Sequence, residues 1–484
     1  MEHRYFREKC GSIALRRTLK CIFLSGILGL QSCLSTYYQK HARFNDLFIS
    51  GKFVEADALL AKRKRVDRRK DRLLHYLNRG VLNHLTGDWE KSNEFFEMAH
   101  DICAIQVSRP ASEALSFVVN SNITEYFGED HELLLLYYYK ALNFLQLGDL
   151  SSALIECRRL NIRLKQLSDK YSGDHRYTKD AFIHTLMGLI YQASGEYNNA
   201  FIAYRNALDT YRTSYCKLFG ISAPVQLQKD LLYVAYRTGL HEEVRRYQKM
   251  LKLSYDPAKE SHRGKGDCVV LWNNGLGPIK AERSLTFTIL PGKGGIVHFQ
   301  NQALKMTFPF PMPGDARQRN SLTALQIIKV ATPMYEERSL IYQSANLQYG
   351  SGHVQRLELA EDVNAVAVQL LHQRMVWELS KSLLRTALKK TLEHQVRRQN
   401  AALGLIVGGI NFITEQADTR NWQTVPHSIH YTRLKLPLGM QEIAFEAHSS
   451  SHPTMRKSLT VETRHGQTCF QVIHSPAEKK SYSM

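Results

Sequence analysis

The sequence predicts an α-solenoid followed by a smaller, β-rich α+β domain with a helical insertion. Three observations carry this. A Gly-centred pattern recurs through the first half of the 484-residue chain, the text turns rich in Gly, Pro and β-formers after residue 255, and a helical period returns briefly before the last strands. At about 150 residues per domain, 484 residues exclude a single minimal fold. A hydrophobic share of 44% with 24 Tyr and 20 Phe against 13 Pro excludes disorder throughout.

The chain opens with Arg4, Arg7, Lys9, Arg16, Arg17 and Lys20, then the uncharged run CIFLSGILGL at residues 21–30. A basic segment followed by a short apolar one reads as a targeting signal. Ten helical residues rise about 15 Å, half of a bilayer core, so a spanning helix fits poorly. Leu30-Gln31-Ser32-Cys33 resembles a bacterial lipobox, which predicts removal of residues 1–32 and lipidation of Cys33, although Gln31 replaces the usual small or aliphatic residue. A plain secretory signal and a buried helix are the competing readings. Residue 34 is Leu rather than Asp, so the familiar inner-membrane retention signal is missing and the outer membrane is favoured.

Lys and Arg number 64 against 45 Asp and Glu, a net charge of +19, and the basic excess survives loss of residues 1–32. It favours acidic partners such as anionic lipid or acidic glycan. The densest cluster is Lys62, Arg63, Lys64, Arg65, Arg68, Arg69, Lys70 and Arg72, interrupted by Asp67 and Asp71. It reads as a solvated helix face or, about thirty residues from the proposed anchor, as an anionic-surface contact in which each basic residue contributes about 1 kcal/mol. No nucleic-acid docking motif accompanies it, so nucleic acid is the weakest of the acidic partners. After removal of the signal, Cys103, Cys157, Cys216, Cys268 and Cys469 remain beside Cys33. Five is odd, which excludes a complete disulfide framework and favours small buried residues.

From 33 to 255 the repeat is explicit. Gly80, Gly87, Ser92, Phe96 and Ala99 share spacing with Gly188, Gly195, Ala200, Tyr204 and Ala207. Small residues at positions 8, 20 and 27 let two helices approach, aromatics at 11, 17 and 24 fill the groove, and Gly at 15 turns the chain: this is tetratricopeptide-like spacing. Weaker copies sit at Ala141, Phe144, Gly148 and Ala153, at Gly51, Phe53 and Ala56, and around Gly239. The expectation is about ten helices over residues 36–252, with a concave face for a protein partner.

From 256 to 484, CVVLWNNGLGPIKAE, SLTFTILPGKGGIVHFQ and MTFPFPMPGD read as strands and turns. Residues 362–415 read as the helical insertion, through Val366, Leu370, Met375, Trp377, Leu383, Leu384 and Leu388. It ends in AALGLIVGGINFI, too short to span a membrane and read as a buried helix, with membrane or partner insertion as the rival. Strands return over 427–474.

Asp418, Arg420 and Trp422 form a compact motif with two readings, a ligand contact or a structural pin. Asn273 to Pro278 reads as turn chemistry. No His-Glu-x-x-His, paired Cys-x-x-Cys, Walker or Gly-x-Ser-x-Gly sequence is present, and His427 and His430 read as surface or strand-edge residues. No catalytic, metal-ligating or cofactor-binding residue is nominated and no cofactor is implied.

The segments YFGEDHELLLLYYYKALNFLQLGDLSSALIECRRLN, GLIYQASGEYNNAFIAYRNALDTY, VVLWNNGLGPIKAE and EQADTRNWQTVPHSIHYTRLKLPLG together resemble a family of uncharacterised bacterial tetratricopeptide-repeat lipoproteins of the cell envelope. The resemblance covers nearly all of the chain after the signal and implies an exported, lipid-anchored, two-part protein. It supplies no reaction. Two functions follow as expectations: a membrane-anchored scaffold for protein partners, or an envelope enzyme or glycan-binding factor acting on peptidoglycan or polysaccharide through the C-terminal domain.

Overall fold

The computed structural model describes residues 36–63, 69–107, 125–170, 179–257, 264–293, 296–311, 327–399 and 417–475. Helices come first: α1 (Tyr37–Lys40), α2 (Ala42–Ile49), α3 (Phe53–Ala61), α4 (Arg72–Thr86), α5 (Trp89–Val107), α6 (Asp130–Gln146), α7 (Leu150–Lys170), α8 (Ala181–Ala193) and α9 (Tyr197–Thr210). A π-helical turn (Tyr211–Tyr215), α10 (Cys216–Phe219), α11 (Val225–Arg237) and α12 (His241–Leu251) complete this half. The strands are β1 (Lys265–Asn274), β2 (Ile279–Pro291), β3 (Ile296–Asn301), β4 (Met306–Pro311), β5 (Ile327–Glu336), β6 (Ser344–Tyr349), β7 (His353–Arg356), β8 (Glu358–Asp362), β9 (Ser428–Pro437), β10 (Gly439–His448), β11 (Met455–Thr463) and β12 (Thr468–His474). Helix α13 (Val363–Gln399) lies between β8 and β9. The chain is thus mixed α and β.

The helices pair through one turn used five times. At Gly87 the glycine is left-handed (φ 82°), its N–H bonds to His84 O, and Asp88 N–H bonds to Asn83 O. Gly51, Gly148, Gly195 and Gly239 repeat both hydrogen bonds at the same offsets and share positive φ. This Schellman closure satisfies the last carbonyls of one helix and launches the next, and the left-handed position is what glycine supplies without steric penalty. Within each of the two best-formed hairpins, the first-helix glycine lies under the aromatic ring sixteen residues on. A Cβ on Gly80 would stand 2.5 Å from the Phe96 ring, and one on Gly188 would stand 2.3 Å from the Tyr204 ring. Ser92 Oγ also donates to Gly80 O at 2.7 Å, which fixes the same crossing.

The strands form three sheets: β12-β1-β9-β8, β11-β10-β6-β7 and β4-β3-β2-β5. Every pairing is antiparallel except β1 with β12. Strand β1 is buried from Gly266 to Asn274, because both of its faces are covered. Cys268, Val270 and Trp272 pack against Ile443, Phe445, Ala447 and Leu347 of the second sheet. Val269 and Leu271 point the other way and join the core of the helices. This two-sided burial produces the unbroken apolar run in the sequence, where a half-exposed strand would alternate. The third sheet has its own core, closed by Leu379 and Leu383 of α13, while Val366 and Leu370 at the start of α13 belong to the helical core.

Part of one face of the helical array is covered by the rest of the chain. The first helix of successive hairpins carries residues that meet the chain's own strands and loops. Asn78 on α4 accepts from Thr424, Tyr138 and Gln146 on α6 bond Asn273 and Phe470 O, and Gln192 and Asp230 on α8 and α11 receive Arg433. The reason is the second apolar face of β1 and β9, which the helices remove from water at about 25 cal/mol per Å². These helices therefore meet the chain's own strands at those residues.

Candidate functional site

Along the turn edge of this docked seam lies a cavity of about 520 Å3. The Gly51 and Gly87 turns, α4, α6, the β1–β2 loop and the end of β12 enclose it. Phe48, Phe53, Val81, Leu85, Trp89, Tyr139, Leu276 and Val472 make its wall apolar, and His84, Gln146, Thr424, Lys457, His474 and Ser475 supply polar atoms. The β1–β2 loop is held in place by the asparagines that end β1. Asn273 Oδ1 accepts from Tyr138, Asn274 Nδ2 donates to Tyr342 O, and Ser475 Oγ donates to Asn274 Oδ1.

The polar floor is a histidine pair. His84 Nε2 and His474 Nε2 are 3.3 Å apart, and His84 Nδ1 is 2.6 Å from Asn143 Oδ1. Asn143 Nδ2 donates to Ser92 Oγ and Asn93 Oδ1, so its oxygen faces His84. That assigns the tautomers by elimination: His84 donates from Nδ1, and its bare Nε2 accepts from His474 Nε2–H. Burial pushes His84 down to about 4 and His474 well below the usual histidine range, the latter with help from His84. Both rings are neutral near pH 7. Tyr139 stacks on His474 at 6.5 Å and 8° between planes. The arrangement offers a shaped apolar volume with a few directed hydrogen-bonding groups, which is the chemistry of recognition.

The predicted site residues distribute unevenly. Cys33, Lys64, Arg65, Arg68 and the stretch 401–413 lie outside the described residues. Of the remaining basic cluster, Lys62, Arg69 and Lys70 are exposed, whereas Arg63 and Arg72 are tied into the fold. Arg63 Nη1 lies 2.8 Å from His41 Nε2, and Arg72 pairs with Glu125 at 2.8 Å.

Asp418, Arg420 and Trp422 do come together, as a pin. Arg420 makes a bidentate pair with Asp418 at 2.9 and 2.7 Å, donates to Lys70 O at 3.0 Å, and lies over the Tyr126 ring. Trp422 is fully buried between Phe96 and Tyr139, and its backbone N–H donates to Glu132 Oε1 at 2.6 Å. Glu132 also accepts from Tyr126 Oη and Glu129 N–H, and burial, followed by the charge of Glu129, raises it to about 7. Glu129 itself pairs with Lys280 and Arg374, which hold it well below the carboxylate range against burial.

Sequence reasoning had no signal for these partners, nor for the buried Arg433, which donates to Asp230, Asp267 and Gln192 at 2.9, 3.3 and 3.1 Å. A second recess of about 350 Å3 lies beside it, lined by Tyr197, Tyr233, Tyr236 and Tyr255 with Arg237, Lys265 and Gln467. The rings form two pairs, Tyr197 with Tyr233 at 6.3 Å and Tyr236 with Tyr255 at 5.8 Å. His427 and His430, expected at the surface or a strand edge, are both buried because β9 is an inner strand covered on both faces: His427 sits 2.9 Å from Glu337, and His430 packs against Trp272 and is pushed down to about 3 by burial. Among the described residues no group of His, Cys, Asp and Glu is arranged to hold a metal, and no helix is long and apolar enough to cross a membrane.

No known family model and no curated protein matches the sequence. A crystal structure of BtubC (BKLC) from P. vanneervenii is similar over 45% of this chain and 78% of its own, at 16% identity and a TM-score of 0.27.

Proposed function

We propose that the protein is a lipoprotein of the bacterial cell envelope, anchored through Cys33 and facing the periplasm from the outer membrane, whose helical half is a tetratricopeptide-like solenoid serving as an interaction scaffold. The repeated glycine turns and the Gly80–Phe96 and Gly188–Tyr204 contacts support the solenoid, and the lipobox-like residues 30–33 support the anchor. The observation that carries a binding role is the 520 Å3 seam cavity, apolar in its walls and polar at the histidine pair. We place the partner there rather than along the first helices, where the chain's own strands make contact, and the cavity suits two or three apolar side chains of a protein segment. The exposed Lys62, Arg69 and Lys70 suit the acidic headgroups of the anchoring membrane.

The test is in-cell photo-crosslinking from residue 50, where an exposed Ser50 lines the cavity, in the anchored chain and in Cys33→Ala. A protein adduct formed from residue 50 and weakened by Cys33→Ala supports the scaffold. A Cys33→Ala chain that stays in the membrane fraction contradicts the anchor.

The second reading, a glycan-binding factor or glycan-acting enzyme of the envelope, gains support from the tyrosine-lined recess, since aromatic faces with flanking Arg, Lys and Gln suit sugar rings and acidic groups. Sedimentation with purified sacculi separates the two readings. The full chain is the reagent, because a fragment from residue 256 would expose Val269, Leu271 and Tyr431. Co-sedimentation lost in Tyr236→Ala favours the glycan reading, and a chain that stays in the supernatant favours the scaffold.

A further inference from the structure

Cys268 on β1 and Cys469 on β12 are 201 positions apart in sequence and face one another as register partners in the parallel pair. Neighbouring strands lie about 4.8 Å apart, inside the 4.4–6.8 Å range of Cα separations that a disulfide spans. Both side chains lie on the same face of the sheet: Cys268 is part of the core between the first two sheets, and Cys469 packs on that core. Both thiols are free, and each shifts the other's proton affinity, that of Cys268 upward and that of Cys469 downward. They differ in access, since Cys268 is fully buried while Cys469 is half-buried on the strand at the sheet edge. The described cysteines of the helical half have no such counterpart on a neighbouring strand, and burial raises the thiols of Cys103 and Cys157 to about 12.

We propose that Cys268 and Cys469 are a redox pair that closes to an intramolecular disulfide by exchange with a disulfide oxidant, locking β12 onto β1. The accessible Cys469 thiolate attacks one sulfur of the oxidant, whose S–S bond breaks and releases a thiol. Cys268, after losing its proton, attacks Cys469 in the mixed disulfide and releases the second thiol. Two electrons and two protons leave the pair, and one oxidant disulfide becomes two thiols. The closed loop spans β2 to β11, so the bond constrains the unfolded chain strongly. It also fixes the strand that carries Val472, His474 and Ser475 to the seam cavity.

The full chain is incubated with oxidised glutathione or with dithiothreitol, alkylated after unfolding and digested, and linked peptides are sought by mass spectrometry. The expected result is a Cys268–Cys469 linked peptide in the oxidised sample only, with a Tm several degrees above that of the reduced protein. Cys469→Ser abolishes the link and the redox dependence of Tm. A stable glutathione adduct on Cys469 with Cys268 fully alkylated overturns the proposal, as does linkage of either cysteine to a different one. The peptide readout on the unsubstituted chain decides the matter even if the serine variant fails to fold.

Discussion

The hairpin α8–α9 and the strand pair β1–β9 both contribute to the core of the helical half, yet their contacts come from opposite kinds of information. In the hairpin, Gly188 meets Tyr204 sixteen residues later, and the Gly195 turn between them places the two helices. In the sheet, Val269 is opposite Arg433, 164 positions on, and Arg433 reaches across to Asp230 on a helix earlier in the chain. Local closure is repeated and uses one residue type at one offset. The docking of helices on sheet is unrepeated and rests on buried charges, each satisfied by partners from distant segments.

The comparison can be broken from its non-local side first. Arg433→Ala leaves Asp230 and Asp267 buried beside a void, and is expected to cost about 3–5 kcal/mol in urea unfolding. A loss below about 1 kcal/mol would mean that water replaces the guanidinium and the seam is loose. On the local side, Gly188→Ala pushes a methyl group into the Tyr204 ring and is expected to cost about 1–3 kcal/mol. A neutral result would show that the hairpin has slack the close contact denies.

The seam is also expected to respond to pH in two directions. His84 is held down to about 4 in the fold against 6.5 when free, so the unfolded chain binds more protons between those values, and stability is lost as pH falls through that window. Glu132 is raised to about 7 against 4.5, so the folded chain binds more protons there, and stability is lost as pH rises through that window. His84→Asn is expected to shrink the acid-side loss, and Glu132→Ala the loss on the rising side, read as the change in Tm between pH 5 and pH 7. This is the smallest effect, because the two slopes oppose one another in the parent chain.

The helical hairpins were legible because a glycine turn and a small residue under an aromatic leave a fixed spacing, even at the degenerate copy around Gly239, whose turn has the same two hydrogen bonds. The strands of 265–291 and 428–448 were legible from β-formers and flanking turns. What the strands covered was not. Residues 268–272 read as a strand, but nothing in the text said that it would be buried on both faces, with Val269 and Leu271 meeting the helices. The motif Asp418, Arg420 and Trp422 was visible as a cluster, and its role as a pin depended on Lys70 O and Glu132, some 350 and 290 positions away. The cavity escaped for the same reason, since its histidines are 390 positions apart.

The claim that the helical half and the sheets are docked through their own buried contacts is tested most directly by a double-mutant cycle on Asp230→Ala and Arg433→Ala, with unfolding free energies for the four chains. The expected result is a coupling of about 1–3 kcal/mol, the double variant losing well under the sum of the single losses. Additivity within about 0.5 kcal/mol would contradict the docked arrangement and return the face of the helices to an outside partner.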